Sequence, residues 1–185
     1  MRIIAGRFRG RKLAGPEGPG VRPTSDRLRE TLFNVLARRI GGARVLDAFA
    51  GTGALGLEAA SRGALSVTLV ESDRHALAVI EKNVAHCGAD AFCDVVRGRF
   101  PRVPAGGATF DLILLDPPYD TPDLEEILAA ASGRLAPGGL VVLEHSGRRA
   151  APEAAGSVVR TRLLTAGDSA LSFYTAAAGG PVAGS

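Results

Sequence analysis

The chain has 185 residues, 46% apolar and 22% charged, the size and balance of a single soluble globular domain. Cys87 and Cys93 are too few for a disulfide framework, the histidines at 75, 86 and 145 show no zinc spacing, and no apolar run is long enough to span a bilayer, so the expected setting is the reducing cytoplasm, with no metal. The net charge of +3 is unevenly spread: residues 1–44 hold 11 basic residues against 3 acidic ones, whereas the remainder is net −5.

Arg2 to Leu13 places Gly6 and Gly10 between short mixed runs and predicts a small hairpin or arm, with no apolar stretch of the signal-peptide kind. Its cations Arg2, Arg7, Arg9, Arg11 and Lys12 suit phosphates, and Phe8 suits stacking on a base. Gly15 to Gly20, with Pro16 and Pro19, reads as a loop. In Arg22-Pro23-Thr24-Ser25-Asp26, Thr24 or Ser25 can cap a helix start and Asp26 complements its dipole. From Arg27 to Ile40 the residues Leu28, Leu32, Val35, Leu36 and Ile40 recur at helical spacing, and Gly41-Gly42 ends the helix. Phe33 and Asn34 fit either a cofactor crevice or, for Phe33, simple core.

Val45-Leu46-Asp47 reads as the end of a buried strand that enters a glycine turn, Gly51-Thr52-Gly53, and then a helix from Ala54 to Arg62. Gly56 lets that helix approach the strand. The second strand, Leu65–Val70, ends at Glu71, 20 residues after Gly51, where a carboxylate can accept hydrogen bonds from a ribose diol. Asp47 before the turn favours a positively charged ligand with an ammonium group over a pyrophosphate, and S-adenosylmethionine is such a ligand.

Ser72 to Cys87 is the next helix, Ala91 to Val96 a third strand and Phe110–Leu115 a fourth, which runs into Asp116-Pro117-Pro118-Tyr119. Two prolines remove two N–H donors and stiffen the turn. What remains is a set of acceptors beside an aromatic face: the Asp116 carboxylate and Pro117 carbonyl can take both hydrogens of an exocyclic base amine while Tyr119 stacks on the ring. Pro122 to Arg134 predicts a helix and Gly139–Glu144 a fifth strand, so the alternation implies a parallel sheet covered on both faces. Ser157 to Leu164 and Ala170 to Thr175 are too close for a crossover helix and predict an antiparallel hairpin; residues 177–185 read as a flexible tail.

Arg2-Ile3-Ile4-Ala5-Gly6, the Arg22 to Asn34 stretch, Asp47 to Glu58, Asp116-Pro117-Pro118-Tyr119 and Gly167-Asp168…Ser172-Phe173-Tyr174 together resemble the bacterial RsmD-type 16S ribosomal RNA guanine-N2 methyltransferases. That resemblance implies an α/β, Rossmann-like class I methyltransferase fold, with a mostly parallel seven-stranded sheet whose last strand is reversed. It divides the chain into a basic RNA-contacting segment at 1–44 and a methyltransferase core at 45–176. It implies methyl transfer from S-adenosylmethionine to a guanine N2 amine in 16S ribosomal RNA or the assembling 30S subunit; a monomer is the default expectation. The cofactor would be held by Asp47, Phe49, Gly51, Gly53, Glu71, Ser72, Asp94 and Gly98, and the target guanine by Asp116, Pro117 and Tyr119. The RNA would meet Arg2, Arg7, Arg9, Arg11, Lys12, Arg22, Thr24 and Arg27. Arg99 stands where an acidic or amide residue near the adenine is expected, which leaves that contact to Asp94 or to backbone. The competing readings are an adenine-N6 methyltransferase acting on DNA or RNA, a nucleotide-dependent oxidoreductase, and a noncatalytic RNA-binding module.

Overall fold

The computed structural model describes residues 1–15, 26–103 and 108–177. The chain runs α1 (Asp26–Leu36), β1 (Arg44–Asp47), α2 (Ala54–Ser61), β2 (Ser66–Glu71), α3 (Arg74–Cys87), β3 (Cys93–Arg97), β4 (Phe110–Leu115), α4 (Leu124–Ser132), β5 (Leu135–Ser146), β6 (Ala154–Ala155), β7 (Val158–Ala166) and β8 (Ser169–Ala176). These strands form one sheet in the order β3-β2-β1-β4-β5-β8-β7-β6. The first five are parallel, and β8 is inserted antiparallel between β5 and β7. This is the expected mostly parallel sheet with a reversed last strand, closed by the predicted hairpin. It has eight strands rather than seven because Ala154–Ala155 pairs with Val158 and Val159 on the outer edge.

The central strands carry unbroken apolar runs, Val45-Leu46 in β1, Leu112 to Leu115 in β4 and Leu140 to Leu143 in β5, because both faces are covered. In β1, Val45 packs into one core and Leu46 into the other; in β4, Leu112 and Leu114 face the first while Ile113 and Leu115 face the second. The first core takes α1, α2 and α3, and the second takes α4. Gly56 is what lets α2 lie against β2: a Cβ there would fall 2.3 Å from Leu69 Cδ2 and 3.0 Å from Val67 Cγ1.

Helix ends differ from the sequence expectation by local bonding. α1 stops at Leu36 rather than Ile40, because Arg39 N–H bonds to the Leu36 carbonyl at 2.8 Å and tightens the last turn. In α3 the cap is Asp73, whose carboxylate accepts from Ala76 N–H, and Gly88 in the left-handed region ends it. The Thr24 or Ser25 cap lies outside the described residues.

The N-terminal hairpin forms, closed by an antiparallel bridge between Arg2 and Lys12. Its docking rests on α2. Glu58, fully buried, accepts from Ile4 N–H at 2.8 Å, Ala5 N–H at 3.0 Å and Arg62 Nε at 2.6 Å. Ser61 Oγ accepts from Phe8 N–H at 3.0 Å, and Asn83 exchanges hydrogen bonds with Ala14 N–H and C=O. Phe8 is therefore core, 6% exposed and tilted against Phe92, and it does not present a face to a base. Apolar burial on the hairpin's inner side outweighs exposure of an aromatic ring.

Candidate active site

The carboxyl ends of the parallel strands open into one cleft of about 1610 Å³. It lies where α/β sheets bind ligands, outside the strand ends and across the β1–β4 switch point. Its walls come from Ala48, Phe49 and Gly51 after β1, Glu71 and Ser72 after β2, Gly98 to Arg102 after β3, and Asp116 to Asp123 after β4. Glu144 on β5 and Thr165 to Ser169 between β7 and β8 complete it, with Arg27, Leu28 and Thr31 of α1 on the rim.

On the β1 side the backbone doubles back over its own carboxylate. Asp47 is fully buried, and its Oδ2 accepts from Gly56 N–H at 2.9 Å. Burial pushes its carboxyl up to about 7, opposed by the backbone N–H groups of Gly56 and Phe49 and helped by the nearby charges of Asp116 and Glu71. Glu71 ties two loops together. Its Oε2 accepts from Gly51 N–H at 2.9 Å, and Oε1 accepts from Ser72 N–H at 2.6 Å and Asp73 N–H at 2.8 Å. Gly51 and Gly53 have φ of 55° and 78°, a conformation other residues rarely adopt. Phe49 meets Phe100 edge-on, with centroids 6.0 Å apart, and the pair gives this half an aromatic wall.

On the β4 side Asp116 is half-buried and lines the cleft, with Pro117 buried beside it. Tyr119 is held by its hydroxyl, 2.6 Å from Ser169 Oγ and 3.4 Å from Glu144 Oε1. The loop beyond is clamped by Arg149, whose guanidinium donates to the Thr121 and Pro122 carbonyls. His145 holds the other end: its Nδ1 lies 2.9 Å from the Ser146 carbonyl and 3.0 Å from the Arg149 carbonyl, and its Nε2 is hydrogen-bonded with Ser172 Oγ at 2.9 Å. Arg134 donates to the Pro101 and Val103 carbonyls and stacks on Phe100, which fixes the loop after β3.

Residues 1–175 match the family model described as "Conserved hypothetical protein 95". Over 176 residues the chain is 40% identical to ribosomal RNA small subunit methyltransferase D of Escherichia coli strain K12, covering 94% of this chain and 89% of that protein. This chain belongs to that methyltransferase family. Among solved structures, the yhhF protein of Escherichia coli superposes with a TM-score of 0.83 at 39% identity, covering 95% and 97% of the two chains. A hypothetical protein of Thermus thermophilus superposes at 0.79 with 35% identity, covering 94% and 98%.

The fold of this methyltransferase gathers Phe49, Gly51, Glu71, Ser72, Gly98, Asp116, Pro117, Tyr119 and Arg27 around the cleft. Asp47 and Gly53 lie beneath the turn and do not line it. Asp94 is not brought there. It is exposed near the start of β3, opposite Thr68, three residues before the strand end that faces the cleft, so it is no candidate for the adenine. Arg7 and Arg11 are held against the hairpin's own base: Arg7 lies 4.3 Å above the Phe92 ring, and Arg11 donates to the His86 carbonyl beside Phe8. Arg2, Arg9 and Arg27 border a second hollow of about 380 Å³, and among the described residues Arg27 alone borders both spaces. Lys12 is exposed; Arg22 and Thr24 lie outside the described residues. Phe33 is core and Asn34 is exposed away from the cleft.

Glu144, Ser169 and Arg149 were not foreseen from the sequence. The signal for Glu144 was there, a carboxylate closing the apolar run Leu140-Val141-Val142-Leu143 just as Asp116 closes β4. Among the described residues no helix is long and apolar enough to cross a membrane, and no cluster of three or more His, Cys, Asp or Glu is placed to hold a metal ion.

Proposed function

We propose that this chain transfers the methyl group of S-adenosylmethionine to the exocyclic N2 amine of a guanine in 16S ribosomal RNA, in the cytoplasm, on free RNA or on the assembling small subunit. The observation that carries the reading is the opening of the glycine turn and the Asp116-Pro117-Pro118-Tyr119 turn into one cleft from neighbouring strands. The family supplies the RNA, since the Escherichia coli relative is named for the small-subunit ribosomal RNA. The N2 amine of guanine comes from the resemblance of the motifs.

The residues fit a cationic nucleoside. Asp116, Glu71 and Glu144 put carboxylates on the walls of the cleft, and Asp47 lies buried beneath the turn. That potential favours a sulfonium and an ammonium and opposes a pyrophosphate, which weighs against the oxidoreductase reading. Glu71 would meet the ribose hydroxyls, Phe49 and Phe100 would flank the adenine, and the Gly51 to Gly53 backbone would pass beside the methionine part. When bound, S-adenosylmethionine supplies an electrophilic methyl group.

The chain's own work is alignment. The guanine amine is a weak nucleophile because its lone pair is delocalised into the ring. Asp116 and the Pro117 carbonyl would accept its hydrogens, turn the lone pair toward the methyl and hold the two atoms about 3–3.5 Å apart. Asp116 need not take a proton before transfer. Since N2 is paired inside a duplex, the base would enter unpaired or flipped and stack on Tyr119, while exposed Arg2, Arg9 and Arg27 grip the flanking phosphates.

The test is transfer of labelled methyl from S-adenosylmethionine to small-subunit RNA and particles lacking the modification, followed by nucleoside analysis. N2-methylguanosine that disappears in Asp116→Ala is the expected result. N6-methyladenosine would keep the site and replace the substrate.

A further inference from the structure

β4 and β5 are parallel neighbours whose register runs Leu112↔Leu140, Ile113↔Val141, Leu114↔Val142 and Leu115↔Leu143. One step further along, Asp116 comes opposite Glu144. Two carboxylates thus leave adjacent strands about 5 Å apart, and both line the same cleft. Glu144 is only 6% exposed, and Tyr119, whose hydroxyl reaches it, stands on its side of the cleft.

Guanine and adenine differ in what lies next to the exocyclic amine. On guanine the Watson–Crick-edge neighbour of N2 is N1–H, a donor; on adenine the corresponding neighbour of N6 is N1, an acceptor. With the amine hydrogens on Asp116 and the Pro117 carbonyl, a base whose Watson–Crick edge is turned toward β5 presents N1 to Glu144, which lines the same cleft. We infer that Glu144 is a specificity-determining residue that accepts the guanine N1–H and turns away adenine, whose N1 lone pair would meet a carboxylate. The inference rests on the guanine-N2 reaction proposed above and names the group that chooses the base.

The experiment uses the full chain, S-adenosylmethionine and small-subunit particles carrying, at the methylated position, either guanine or 2-aminopurine. The analogue keeps the C2 amine but has an acceptor at N1. The wild-type chain should prefer guanine by on the order of 100-fold in kcat/KM. In Glu144→Gln, whose amide can donate to N1, that preference should shrink about tenfold or more, with cofactor Kd unchanged. Tyr119→Phe removes the hydroxyl contact and leaves the carboxylate, so both substrates should slow together with the preference kept. Equal slowing of both substrates in Glu144→Gln would reduce Glu144 to a support for Tyr119 and overturn the inference, as would an unchanged preference. Absence of N2 methylation by the wild-type chain would instead overturn the reaction assignment, and this inference with it.

Discussion

β1 and β4 lie side by side and each delivers an aspartate to the same end of the sheet, yet the two carboxylates meet opposite fates. After Asp47 the chain passes through Gly51 and Gly53, folds back, and buries the carboxylate under its own helix, with Gly56 N–H on one oxygen. After Asp116 come two prolines, which cannot fold back in that way, and the carboxylate stays at the surface of the cleft. A strand ending in aspartate is thus an incomplete signal. The residues after it decide whether the charge serves the ligand directly or acts through burial and potential.

The largest effect should fall on the open carboxylate. Asp116→Ala is expected to lower methyl transfer by about 10²–10³-fold while cofactor affinity, read by calorimetry, stays within about twofold of wild type. A parallel loss of cofactor affinity would erase the distinction between the two turns.

Asp47 should announce itself through stability and pH. Its carboxyl holds a proton in the folded state up to about 7, against an ordinary 3.8. The unfolded chain therefore releases that proton first, so stability declines as pH rises from about 4 to about 7 and then levels, by at most about 4 kcal/mol. Asp47→Asn should flatten the slope and be the more stable protein above pH 7, as denaturant titrations at pH 5 and 8 would show. A slope unchanged in the variant would mean the carboxylate is not buried as described.

The closeness of α2 to β2, which covers Asp47, depends on Gly56. Gly56→Val places a Cβ inside Leu69 and should cost about 1–3 kcal/mol, read as a lowered thermal midpoint. The smallest effect belongs to the basic surface. Arg9→Ala should weaken RNA binding modestly and reduce the slope of log affinity against log salt by about one, measured by filter binding across salt. Neither Asp turn is touched, so turnover at saturating RNA should hold.

Much of this arrangement was legible in the chain. The apolar runs that end in Asp47, Glu71 and Asp116 gave the parallel strands and the cleft, because fully buried strands are written as continuous apolar residues. Period and glycine punctuation gave α2 and α3. What was not legible is long-range. That Phe8 is core and Arg11 is held beside it depends on α2 and α3, more than 50 residues away, through the buried Glu58 and Ser61. Asp94 enters as the nearby acid because Arg99 occupies the position where an acidic or amide residue is expected, yet Asp94 lies inside β3, three residues short of the end that opens on the cleft.

The insertion of β8 between β5 and β7 bears on the protein's synthesis. β5 ends at Ser146, and the strand that pairs with its open side runs from Ser169 to Ala176. At ribosomal speeds of about 5–20 residues per second, β5 waits about 2–6 s as a bare, apolar sheet edge before its partner exists. In that interval Tyr119 also lacks Ser169, so the hydroxyl contact that holds it is among the last of the cleft's supports to be made. A translational pause between residues 147 and 168 would lengthen that exposure, and aggregation in the cell would follow codon speed there rather than any property of the finished fold.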